Sequence, residues 1–264
     1  MAAADDPPPN LGALTAFACE LADSAGAIVL DHFRAPGPVT TKPDGSPVTK
    51  ADRIVESAMR DAIQGAFPDH GILGEEFGET GANSDYVWVL DPIDGTRSFI
   101  SGKPVFATLI GLGFRGKPVL GVIDQAITGE RWVGAAGAPT TLNGTPAKVR
   151  DCAELAQATA YTSGPEWFNG PDRDAFDRLH HEVLMTLYSA DAYAFGLLAS
   201  GYVDVAFECG LKPYDYWALV PVIQGAGGII TDWAGAKLTL DSVGKVLAAG
   251  DKSVHRRAIA ILST

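Results

Sequence analysis

Cysteine is scarce, with three residues in a chain of 264. Cys19, Cys152 and Cys209 are odd in number, lie far apart and form no CxxC pair. That excludes a disulfide framework and a cysteine-built zinc site, and it points to a reducing compartment. Long apolar runs are missing too. Even 105–114 and 218–230 are cut by Thr108, Gly111, Pro221 and Gln224, short of the ~18 uninterrupted apolar residues that mark a membrane span. No membrane partner is expected. Clustered positive charge is also lacking: 20 Lys and Arg stand against 32 Asp and Glu, for a net charge of -12. A nucleic-acid partner is therefore not expected, because binding a phosphodiester backbone needs grouped cations that release counterions. The opening MAAADDPPPN has neither the apolar core of a secretory signal nor the Arg and Ser bias of a transit peptide. It reads as a disordered tail over 1–10 on a chain that is not secreted.

What is present is enough to build a core. With 47% apolar residues, the chain fits one large domain or two modest ones. Leu14, Phe17, Ala18, Leu21, Ala25, Ile28 and Val29 recur at helical spacing, and Pro36 and Pro38 end that pattern after Phe33. The segment TTKPDGSPVTKADR reads as a loop into a second helix over 49–66. Short apolar runs follow at 71–74, 86–90, 105–112 and 119–124, each with the look of a buried strand. Two helices followed by consecutive strands predict a layered α+β fold rather than a βαβ repeat. A turn-rich stretch at 134–146 then precedes helices over 172–184 and 190–201 and a strand over 203–207. The boundary is expected near Pro146, with an N-terminal α+β domain over 11–146 and a C-terminal α/β domain over 147–264.

Three acidic motifs sit at element ends. In Trp88-Val-Leu-Asp91-Pro-Ile-Asp94-Gly-Thr96 an apolar strand breaks into two aspartates. A turn there can aim both carboxylates into one cleft, while Gly95 lets backbone N–H groups approach an anion. An isolated DxxD is more simply an Asp-rich turn that caps a helix. Gly74-Glu75-Glu76-Phe77-Gly78 closes another short strand; on its own, such a pair is a solvated acidic loop. Asp215 stands among aromatics before an apolar helix, where a plain N-cap is the simple reading. An acidic protein that handles a phosphate must neutralise it locally, and carboxylate-bound divalent cations are the evident means.

Together and in this order, GEE, DPIDGT and an Asp before Trp-Ala-Leu resemble the inositol monophosphatase-like family of metal-dependent sugar and metabolite phosphatases, from about residue 11 to the end. Within it, DPIDGTRSFISGKPVFATLIGL at 91–112, VLGVIDQ at 119–125, ERWVG at 130–134 and GLKPYDYWALVPVIQGAGGIITDWAG at 210–235 are similar to the plant and bacterial histidinol-phosphate phosphatases. The resemblance implies the layered α/β/α/β/α sandwich of the inositol monophosphatase and fructose-1,6-bisphosphatase type. It also implies a homodimer and a small phosphate monoester as substrate. Location would be the plastid stroma in a plant and the cytoplasm otherwise.

The resemblance further implies that Glu75, Asp91 and the carbonyl of Ile93 hold one Mg²⁺, that Asp91, Asp94 and Asp215 hold a second, and that Glu76 acts through water or on a third ion. Hard oxygen donors suit Mg²⁺, whereas zinc would recruit His or Cys, and neither lies near these motifs. Thr96 and Asp52 would orient the attacking water, and the N–H groups of Gly95 and Thr96 would bind phosphate oxygens. Asp191 and Glu208 would face the leaving group, where an acidic wall favours the ammonium and imidazole of histidinol over a neutral polyol. The simpler reading of Asp191 is a cap for the helix over 190–201. Trp132 and Lys103 carry less weight, the first as a core residue and the second as a solvated one. His180 and His181 read as a solvated pair. No GxSxG, Cys-x₅-Arg or Arg-His-Gly motif supplies a covalent nucleophile.

Overall fold

The structure, a computed structural model, describes residues 8, 10–35, 37–42, 45, 47–81 and 83–263. The tail over 1–10 lies outside these except for Pro8 and Asn10. Helix α1 (Leu11–His32) leads to a small antiparallel pair, β1 (Val39–Thr41) with β2 (Pro47–Thr49), and then to α2 (Lys50–Ala66). Next come β3 (Gly71–Gly74), β4 (Gly78–Thr80), β5 (Tyr86–Asp94), α3 (Thr96–Ile100), β6 (Ala107–Phe114), β7 (Lys117–Gln125), β8 (Glu130–Ala135), β9 (Thr141–Leu142) and β10 (Thr145–Pro146). The second half holds β11 (Thr159–Thr162), α4 (Pro171–Glu182), β12 (Met185–Tyr188), α5 (Asp191–Ala199), β13 (Val205–Glu208), α6 (Pro213–Tyr216), α7 (Leu219–Gly225), β14 (Ile229–Thr231), β15 (Val246–Ala249) and α8 (Lys252–Leu262).

Two mixed sheets result, an eight-stranded one in the order β10-β9-β8-β7-β6-β5-β3-β4 and a five-stranded one in the order β12-β11-β13-β15-β14. The period-2 alternation of each strand sorts its residues between layers. Trp88 and Leu90 of β5 face α1 and α2, where Leu14, Leu21, Val55 and Met59 pack on them. Val89, between them, faces the opposite way with Leu109 and Ile123, against Phe195 and Leu198 of α5 and Val222 of α7. The same middle layer takes Ala206 and Ala248 from the second sheet. Their neighbours Val205, Phe207, Leu247 and Ala249 turn outward onto α4 and α8. The five layers are thus helices, sheet, helices, sheet and helices.

A row of glycines sets how close the middle helices come. Gly111, Gly121 and Gly134 are opposite one another across β6, β7 and β8. A Cβ on Gly121 would lie 1.9 Å from the Ala218 carbonyl oxygen, and one on Gly134 would lie 2.5 Å from Pro221 backbone atoms. Only bare backbone lets the α6–α7 segment settle on the sheet, and that contact carries Asp215 to the ends of β5 and β3.

The sequence reading needs several corrections. The loop over 40–53 contains the β1–β2 hairpin. β5 continues through Asp91 and Asp94 with a register shift between them, instead of stopping at Leu90. The turn-rich 134–146 holds the short β9 and β10, and the helix before Gly225 is two pieces, α6 and α7. By length and composition α1 is apolar enough to cross a membrane. In the fold it is a core helix whose Leu14, Ala18, Leu21, Ala25 and Val29 are buried against α2 and the sheet.

Candidate active site

The end of β5 builds the centre of the site. Its bulge lets Asp91 and Asp94 both reach the cleft, and the Asp91 Oδ1 accepts the Ile93 N–H at 3.0 Å while Thr108 Oγ1 donates to the Pro92 carbonyl at 2.9 Å. β3 runs parallel to β5 with Gly74 opposite Leu90, so the next residue, Glu75, stands beside Asp91. Asp215 arrives from α6, where its Oδ2 accepts the Lys212 N–H at 2.6 Å. It is thus not the N-cap of α6, which is Lys212, but the third helical residue, which accepts the N–H of the cap and also joins the cluster. Oxygens of Asp91, Asp94 and Asp215 lie within 4.8 Å of one another.

So many buried acids raise one another's proton affinity. Burial, then the charges of Glu75, Asp94 and Asp215, pushes Asp91 well above the usual carboxylate range. Burial and the charges of Asp191 and Asp215 do the same to Asp94. Asp215 is pushed up to about 7, by burial first and then by Glu75, against the Lys212 N–H. Burial raises Glu75 as well, opposed by Lys42, whose Nζ lies 2.7 Å from Glu75 Oε1 and 2.5 Å from Glu76 Oε1. Three converging carboxylates, Asp91, Asp94 and Asp215, with Glu75 next to Asp91 and no nitrogen or sulfur donor among them, are the donor set of a hard divalent cation, and they fit a metal site. Glu75 and Glu76 both stand outside the group within ligating reach, and both are held by Lys42.

Thr96 opens α3, right after Gly95, whose φ of 85° suits a residue without a side chain. The Thr96 hydroxyl lies 3.2 Å from the Ile93 carbonyl and 3.5 Å from Asp52 Oδ1. Asp52, in the first turn of α2, is 1% accessible. Its Oδ2 accepts the N–H and hydroxyl of Thr49 at 2.8 and 2.5 Å, which closes a capping box at the start of α2. Burial raises its pKa, offset in part by Thr49.

Asp191 does not cap α5. Its backbone is left-handed, with φ 47°, and its carboxylate accepts from Ser98 Oγ at 3.2 Å and Ser163 Oγ at 3.3 Å. A Cβ on Gly95 would lie 2.5 Å from its Oδ2, so Gly95 also leaves room for the acid. Glu208, at the end of β13, accepts from Ser163 N at 2.6 Å, Ser163 Oγ at 3.0 Å and Thr162 Oγ1 at 3.3 Å. Burial lifts it to about 8. Asp94, Gly95, Thr96, Asp191, Glu208 and Asp215 all line one cleft of 410 Å³.

Other residues of this cleft escaped the sequence reading. Ser163 gave no motif at all, nor did Lys42, which is outside the cleft lining and pairs with Glu75 and Glu76. Arg97 of α3 stacks over the ring of Trp167 at 4.2 Å, joining the two halves of the chain across the cleft. Cys209, read as remote from the motifs, lines the cleft, but its Sγ donates to the Trp167 carbonyl at 3.2 Å and burial pushes the thiol up to about 12. Lys103 lines it too, donating to the Ser189 carbonyl at 2.6 Å. Trp132 is a fully buried core residue bonded to Ser200, and His180 and His181 bond Thr186 and the Asp177 carbonyl on α4.

This geometry has close counterparts. Residues 10–264 match the model of the inositol monophosphatase family. The chain is 48% identical to "Bifunctional phosphatase IMPL2, chloroplastic" of Arabidopsis thaliana, over 90% of this chain and 72% of that one. It is 36% identical to a histidinol-phosphatase of Chlorobaculum parvum, over 93% and 95% of the two chains. Among solved structures, an inositol monophosphatase from Zymomonas mobilis superposes with a TM-score of 0.89 at 42% identity, covering 97% of this chain and 100% of that one. A buried carboxylate cluster at the end of a bulged strand, a five-layer fold and a match along nearly the whole chain lead to one conclusion: this protein is a metal-dependent phosphatase belonging to the inositol monophosphatase family.

Proposed function

We propose that the chain hydrolyses L-histidinol phosphate to L-histidinol and inorganic phosphate, a step of histidine synthesis. The observation that carries this reading is the second acidic pair, Asp191 and Glu208, lining the same cleft as Glu75, Asp94 and Asp215. The hydroxyls of a polyol also hydrogen-bond an acid, so Glu208 alone does not discriminate; the discriminating group is Asp191, beside which an ammonium or imidazolium gains an ionic hydrogen bond that a neutral polyol does not. The flat ring of Trp167 adds a surface against which an imidazole can lie. Histidinol-phosphatases among the relatives support the same choice.

Glu75, Asp91, the Ile93 carbonyl, Asp94 and Asp215 would hold two or three Mg²⁺, with Glu76 on the outermost; bound there, the ions neutralise phosphate charge and lower the pKa of a water. The chain's own groups do the positioning. The N–H groups of Gly95 and Thr96 receive phosphate oxygens at the start of α3. Thr96, backed by Asp52, orients the attacking water through its hydroxyl oxygen. A P–O bond to the water oxygen forms as the ester P–O bond breaks, and the proton that the water gives up goes to the departing alkoxide of histidinol.

We also propose that residues 11–146 act as the metal-binding half and 147–264 as the half that supplies Asp215 and the wall. A homodimer is our reading of the family resemblance; exposed Leu184, Met185 and Leu187 at the free edge of the second sheet support it. The location we propose is the plastid stroma in a plant and the cytoplasm otherwise.

The test is phosphate release from L-histidinol phosphate and from myo-inositol 1-phosphate, each with Mg²⁺ and with EDTA. A Mg²⁺-dependent preference for histidinol phosphate is the expected outcome. A preference for inositol phosphate would keep the metal chemistry and overturn the substrate.

A further inference from the structure

Asp52, Glu56 and Arg60 recur every fourth residue and so share one stripe of α2. Asp52 serves Thr96; the other two serve the acidic turn after β3. Glu56 is fully buried, and its Oε2 accepts the Glu76 N–H at 2.7 Å while its Oε1 accepts the Phe77 N–H at 3.2 Å and the Arg60 Nε–H at 2.8 Å. Arg60 then reaches the strand beyond the turn, donating to the Gly78 carbonyl and, at 3.0 Å, to Thr80 Oγ1. The turn that presents Glu75 is therefore fixed by backbone bonds to one side chain and by strand bonds to that side chain's partner. A Cβ on Gly74 would lie 2.0 Å from Glu56 Oε1 and 2.9 Å from Arg60 Nη2. The glycine before Glu75 makes room for the pair.

A buried ion pair is a poor source of stability, since two charges must leave water and an apolar pair of like volume often does as well. Here the pair spends its hydrogen bonds on the backbone next to a metal-facing carboxylate. We infer that Glu56 and Arg60 are positioning residues for metal binding, holding the Glu75–Phe77 turn so that Glu75 meets Asp91 in the geometry a hard cation requires. This rests on the reading of Glu75, Asp91, Asp94 and Asp215 as the Mg²⁺ site. Supporting groups of this kind set metal affinity because a loose ligand must be ordered at the moment of binding.

The experiment is calorimetric titration of Mg²⁺ into metal-stripped protein at fixed pH, with melting curves beside it. The proteins compared are the unaltered chain, Glu56→Gln, Arg60→Lys, and Ile63→Val as a control in the buried face of the same helix. Glu56→Gln is expected to weaken Mg²⁺ binding by ~10-fold or more, and Arg60→Lys by less, because it keeps the charge and loses the fork to Gly78 and Thr80. Ile63→Val should lower the melting temperature and leave the Mg²⁺ affinity within about twofold. If Glu56→Gln melts early yet binds Mg²⁺ as the unaltered chain does, the pair is structural only and the inference is overturned. Should Glu56→Gln fail to fold, the Arg60→Lys isotherm decides by the same criterion. A flat isotherm for the unaltered chain would instead overturn the metal site, and this inference with it.

Discussion

The acidic cluster and the Asp191–Glu208 pair, which we propose as the leaving-group wall, share one electrostatic problem, and they meet it differently. In both, burial pushes carboxylates up, Asp215 to about 7 and Glu208 to about 8. The wall answers with donors from its own half and from α3. Glu208 takes an N–H and two hydroxyls, and Asp191 takes two serine hydroxyls. In the cluster, Asp91, Asp94 and Asp215 draw on the N–H groups of Ile93, Ala192 and Lys212, and otherwise face one another and Glu75. Each acid of the wall is met by at least two donors, whereas each of Asp91, Asp94 and Asp215 has one backbone N–H. Burial with several donors lets an acid stand without a counter-ion, and burial among other acids with one donor apiece suits a group to a cation.

The sharpest way to break this contrast is to remove one acid from the cluster. Asp94→Asn is expected to lower kcat by ~10³-fold or more, since metal assistance is worth several kcal/mol and ~1.4 kcal/mol is tenfold. A variant with near-normal turnover would show that the cluster is not the catalytic centre.

The next effect is on stability. Groups whose folded pKa is raised bind more protons folded than unfolded, so their contribution is full at low pH and is lost as pH rises through the folded pKa. Metal-free protein should therefore melt at a lower temperature at about pH 9 than at about pH 6, as Asp215 passes about 7 and Glu208 about 8. Added Mg²⁺ should recover the cluster's share at high pH and leave the wall's share lost, and Glu208→Gln should flatten that remainder. Melting curves with and without Mg²⁺ across this range check both. Equal loss with and without Mg²⁺ would erase the distinction between the two regions.

Smaller is the effect on selectivity. Asp191→Asn should lower kcat/KM for histidinol phosphate by ~10-fold, the worth of one charge-assisted hydrogen bond, and leave inositol 1-phosphate within about twofold. Equal losses on the two substrates would mean that Asp191 serves the cluster and not the wall. Smallest of all, Trp167→Ala should raise KM for histidinol phosphate about 2- to 5-fold, as expected for one partly exposed aromatic contact.

How much of the site was legible depended on whether its parts lie together in the chain. Asp91, Ile93, Asp94, Gly95 and Thr96 sit within six residues, and the turn that groups them is written in Pro92 and Gly95. Asp52 was legible only through resemblance, because its local pattern is that of any first-turn helix residue. Lys42, Ser163 and the Arg97–Trp167 pair carry no local signal; each acquires its role from a partner across the fold. The β1–β2 hairpin was missed because three-residue strands with prolines and glycine between them read as loop. The extension of β5 through Asp94 was missed because a bulge looks like a strand end when only the strand's own residues are in view.

The sequence by itself determined the layered fold class and the acidic, hard-donor chemistry, because apolar periodicity and strand-end carboxylates are local properties of the chain. The tertiary structure decided which acids meet: the parallel register of β3 and β5 puts Glu75 beside Asp91, and the glycine row on β6–β8 lets Asp215 close the cluster. Those meetings depend on strand pairing and on the distance between layers, which packing sets and no short stretch of sequence encodes.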